Sequence, residues 1–108
     1  MAKTLTIEVA PQIHPILERL KGDTPSQKIA FLISSELRRY LEECEREMLE
    51  LEIKYGMDYE QFKEKLERGE LGDEFSYELE KDAIRWEDLI AEKKHWLDHL
   101  RAIERLLQ

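Results

Sequence analysis

The stretch Thr4-Leu5-Thr6-Ile7-Glu8-Val9 decides how this 108-residue chain is first read. Strict alternation predicts a strand over residues 4–9, with Leu5, Ile7 and Val9 on one face and Thr4, Thr6 and Glu8 on the other. Two helix signals follow, separated by Lys21-Gly22-Asp23-Thr24-Pro25-Ser26. A lone strand leaves an unpaired edge, and the simplest partner for that edge is a second copy of itself. The expected fold class is therefore mainly α with one N-terminal β-strand, assembled as a dimer whose core holds Leu5, Ile7, Val9, Ile29, Ile33 and Leu37.

Outward from the strand, Pro11 suits a first helical turn, because its missing N–H has no intrahelical role there. Ile13, Ile16, Leu17 and Leu20 then recur at helical spacing until Gly22. Thr24 before Pro25 is an N-cap and first-position pair, and no breaker follows before Gly56. A helix from there to Tyr55 is a rod of roughly 45 Å at 1.5 Å per residue. Its apolar residues Leu37, Leu41, Cys44, Met48, Leu51 and Tyr55 step by alternating fours and threes, a coiled-coil-like seam that needs a helical neighbour. Asp58 can cap a short helix carrying Tyr59, Phe62 and Leu66, which Gly69 stops. From about Phe75 to Leu107 a second long helix presents Leu79, Trp86, Leu89, Ile90, Trp96, Leu97, Leu100, Ile103 and Leu107. The two long helices are expected to pair as an antiparallel hairpin through residues 56–74, or to clamp shut around a partner.

Strand, helix and helix over residues 3–43 resemble a ribbon-helix-helix domain, in which two strands form an antiparallel ribbon that enters the DNA major groove. The resemblance divides the chain into a head, residues 1–43, and an acidic helical extension with a C-terminal helix, residues 44–108. It implies operator DNA as a ligand, met by Lys3, Thr4, Thr6 and Glu8 on the ribbon. Thr24, Ser26, Gln27 and Lys28 lie at a helix N-terminus, where backbone N–H groups and the helix dipole favour a phosphate. Glu8 departs from the Arg, Lys or Gln common at such groove-facing positions.

Charge separates the two parts. Residues 1–40 carry six Lys or Arg against four Asp or Glu, a net of +2, while residues 41–108 carry eleven against twenty-one, a net of -10. The tail would be repelled by nucleic acid and drawn to a basic protein surface. A ribbon-helix-helix head joined to such a tail resembles the antitoxins of type II toxin-antitoxin pairs. The segments Lys54-Tyr55-Gly56-Met57-Asp58-Tyr59-Glu60-Gln61-Phe62 and Gly69-Glu70-Leu71-Gly72-Asp73 are similar to stretches of small archaeal and cyanobacterial proteins of that kind. The resemblance implies a homodimer that represses its own operon and wraps a small basic toxin. Tyr59, Phe62, Leu66, Phe75, Tyr77, Trp86 and Trp96 are the expected toxin contacts, since Trp and Tyr inside a charged rim make interface hot spots. A transcriptional regulator without a toxin, favoured by a closed hairpin with both tryptophans buried, and a purely structural dimer or adaptor are the alternatives.

No catalytic constellation stands out: there is no phosphate-cradling glycine loop, nucleophile elbow or Cys-His pair with an orienting acid. Glu92-x-x-His95 matches half of a di-iron bundle motif, but a second copy is missing, so neither a metal nor a cofactor is expected. Cys44 is the single cysteine, which precludes an internal disulfide and suits a reducing compartment. Without a membrane-length apolar run or a signal peptide, the expected location is cytoplasmic. The absence of Asn and the 39% charged residues lean towards a thermophilic source.

Overall fold

A computed structural model describes residues 3–72 and 76–108. Within them the chain forms four helices: α1 (His14–Glu18), α2 (Pro25–Tyr55), α3 (Tyr59–Glu67) and α4 (Tyr77–Leu106). The expected N-terminal strand is not there. Residues 3–10 carry no regular secondary structure, and no strand or sheet occurs among the described residues. The fold class is thus corrected to all-α, and the ribbon-helix-helix head falls with the strand. The physical reason is that alternation specifies two faces but supplies no hydrogen-bonding partner, and no other described segment pairs with the edge. Leu5 and Ile7 accordingly stay 85% and 58% exposed.

The head helix is also shorter than its apolar spacing suggests. Pro15 fits only the first turn, so α1 starts at His14 and spans five residues, and Ile13 and Ile16 remain exposed. A tight turn links it to α2. Gly22 holds φ at +131°, and a Cβ there would lie 2.7 Å from the Lys28 backbone nitrogen. Thr24 caps α2 by accepting from Gln27 N at 3.2 Å, while the Gln27 side chain accepts from Asp23 N at 2.8 Å.

Rod α2 runs 31 residues to Gly56, whose left-handed φ of 69° lets its N–H reach Glu52 O. Asp58 and Gln61 form a reciprocal capping box that starts α3, and Ser76 caps α4 by accepting from Leu79 N. α4 returns antiparallel along α2, giving a body 58 × 32 × 20 Å. Ion pairs bridge the rods in this direction: Arg38 meets Glu104, Glu47 meets Arg85, and Lys54 meets Asp82 and Glu78.

Two apolar clusters fill the seam. Near the head, Leu37, Leu41 and Leu100 pack with Tyr40, Trp96, Leu97 and Ile103. At the far end α3 folds over the hairpin, and Phe62, Leu79 and Trp86 are buried among Met48, Leu51, Tyr55, Tyr59, Leu66 and Ile90. The expected dimer core is therefore split. Leu37 belongs to the intrachain seam, Ile29 is half-buried, and Ile33 is exposed beside Leu5, Ile7 and Val9 in having no apolar cover.

Candidate interaction surfaces

The aromatic residues of the tail divide between interior and surface. Trp86 and Phe62 are both fully buried, with ring centroids 5.0 Å apart. Tyr55 stacks on Trp86 at 6.3 Å and Tyr59 meets it edge-on at 5.6 Å. Burial pushes the Tyr59 phenol up, with the Glu87 carboxylate adding to it. Tyr59, Phe62, Leu66 and Trp86 thus come together as a core and offer little to a partner while the hairpin is closed. Trp96 is half-buried against Tyr40, its ring centroid 5.0 Å away. Tyr77 alone of the described set stands in solvent, 80% exposed; Phe75 lies outside the described residues.

A polar lock closes one side of the hairpin end. Asp82 Oδ2 accepts from Lys54 Nζ at 2.6 Å and from the Tyr55 hydroxyl at 2.5 Å. Burial opposes ionisation of Asp82, but these hydrogen bonds outweigh it and hold the carboxyl below its ordinary range. Burial, aided by the hydrogen bond to Asp82, pushes the Tyr55 phenol up to about 12. A phenol whose folded pKa is raised stabilises the fold fully below its unfolded value of about 10, and that contribution fades as pH rises towards 12. Denaturant titrations should show the stability advantage of wild type over Tyr55→Phe shrinking across that window. A constant difference would mean that the Tyr55 phenol titrates alike in the folded and the unfolded chain.

One apolar strip escaped the seam pattern. Tyr77 and Ile84, seven residues apart on α4, line a shallow groove with Glu80, Lys81, Arg85 and Asp88, and Ile84 is 55% exposed. Leu49 and Ile53 are likewise exposed on α2. The signal that finds them is an apolar residue at helical spacing that is out of phase with the buried seam.

At the head, most of the expected phosphate contacts are already engaged. Thr24 and Gln27 close the turn as described, and Lys28 Nζ donates to Leu20 O at 2.5 Å and Glu18 O at 3.2 Å, capping carbonyls at the C-terminal end of α1. Ser26 is exposed in the first turn of α2; Lys3, Thr4, Thr6 and Glu8 are exposed on the irregular arm. The structure does not bring the arm and the turn together as one built site.

Cys44 is buried, its Sγ 3.7 Å from Glu92 Oε2, and burial followed by that carboxylate pushes the thiol up, away from reactivity. Among the described residues no three His, Cys, Asp or Glu side chains gather as a metal cluster, and no helix is long and apolar enough to cross a membrane. No family model, no curated protein and no solved structure matches the chain.

Proposed function

We propose that the chain is a non-catalytic binding protein of the antitoxin kind, whose acidic hairpin occludes a small basic protein. The observation that supports this reading is charge: residues 41–108 carry a net of -10, and α4 leaves an apolar strip, Tyr77 and Ile84, among Glu80, Asp88, Lys81 and Arg85. The net charge of the whole segment attracts a cationic partner at long range, and the apolar strip anchors it at short range. With Trp86 in the core, the anchor in this reading moves to Tyr77, an amphipathic ring already in solvent.

The head carries a second association in the same proposal. Leu5, Ile7, Ile13, Ile16, Leu32 and Ile33 are all exposed, and exposed apolar side chains that gather into one patch mark an association site. A second copy is the occupant that the chain always has at hand, so we propose a homodimer through the head.

Co-expression with the small basic protein encoded beside its gene tests the reading. The two should co-purify at low salt and part as salt rises. Tyr77→Ala should weaken the complex by about 2 kcal/mol or more while leaving the fold intact, because that ring contributes little to the core. A complex indifferent to both Tyr77→Ala and salt would contradict this surface.

A further inference from the structure

We propose that His95 and His99 form a two-ligand site for a divalent first-row transition ion, with water filling its other positions. The residues stand four apart on α4, where side chains share a face. Their Nε2 atoms lie 3.2 Å apart and their rings meet at 89°. Two imidazole nitrogens bound at 2.0–2.1 Å in tetrahedral geometry are separated by about 3.3 Å, so the pair already has the span that a shared ion requires.

The arrangement is supported from beneath. Trp96, half-buried, packs on Tyr40 and against the buried head-side cluster, and the His95 ring meets Trp96 edge-on at 5.2 Å while His99 lies 6.3 Å from it. Both histidines are exposed, so an ion reaches them without opening the fold. Without metal, one Nε2–H donates to the other nitrogen's lone pair. On binding, that ring shifts its proton to Nδ1 through solvent, and both Nε2 lone pairs face the ion. Glu92 is not a third ligand, because its oxygens are engaged by Arg85 and Cys44. Two neutral nitrogens select nickel, copper or zinc over magnesium or manganese, which prefer oxygen donors.

The test titrates the full untagged chain with nickel chloride in a non-coordinating buffer. Calorimetry should show one ion per chain, and tryptophan emission should fall as Trp96 is quenched. Affinity should drop by at least about 10–100-fold in His95→Ala and in His99→Ala, since losing a direct ligand costs no less than losing an outer-shell partner. His14→Ala should bind as wild type. Helicity of each variant, checked by circular dichroism, should be unchanged, because both rings are exposed. Thermal stability of the wild type should rise with nickel, as binding to the folded form alone demands. Absence of saturable binding, binding unaltered in both variants, or magnesium competing as well as nickel would overturn the proposal.

Discussion

Replacing Trp86 with alanine should cost about 3–5 kcal/mol of stability, the usual toll for emptying a fully buried aromatic site. The residue is 0% exposed and sits where α2, α3 and α4 meet, touching the rings of Tyr55, Tyr59 and Phe62. Against a total stability of about 5–15 kcal/mol for a small domain, such a loss should bring partial unfolding within reach of mild denaturant. Trp86→Phe should cost less than size alone suggests. Among the described residues the buried indole Nε1 has no acceptor, and an unsatisfied buried donor costs about 1–3 kcal/mol, which phenylalanine removes. Urea titrations followed by circular dichroism separate the two. A Trp86→Ala variant as stable as wild type would mean that the α3 end is not packed as described.

The second large effect concerns association. Leu5→Ser combined with Ile7→Ser should leave the monomer's stability within about 0.5 kcal/mol of wild type, because surface changes usually do so. In the proposed dimer those side chains are covered, and burying an aliphatic side chain is worth about 1.5–3 kcal/mol. Losing two should raise the dissociation constant by at least about a hundred-fold. Sedimentation equilibrium reads this directly: wild type a dimer at micromolar concentration, the double variant a monomer. A wild-type monomer would remove the head from the account, and a variant dimer as tight as wild type would place the contact elsewhere.

The parts of the fold that were legible in the sequence are those set by local chemistry. Thr24 before Pro25, Gly56, and Asp58 with Gln61 mark helix ends through backbone and capping bonds made within a few residues. The alternation of residues 4–9 misled because a strand is completed by a partner distant in sequence or in another chain, which no local pattern supplies. The core role of the tail aromatics is hidden in the sequence for a related reason. Two helices cannot hide Trp86, Phe62 and Tyr59, but a third can, and the folding back of α3 depends on packing rather than on any single turn residue. The same holds for the surface: Tyr77 was visible as a candidate, whereas Ile84 emerges only once the buried seam of α4 is known. The histidine spacing was plain in the sequence, but the 3.2 Å between their nitrogens is a property of the folded side chains.

Growth is the measurement that bears most directly on the proposed role. Expression of the adjacent small basic protein alone should slow the host, and co-expression of this chain should restore growth. Growth should fall again when Tyr77→Ala and a charge reversal at Glu80 or Asp88 are introduced together on the α4 strip. A neighbour that is harmless alone, or one whose toxicity persists in the presence of the folded chain, would contradict the account.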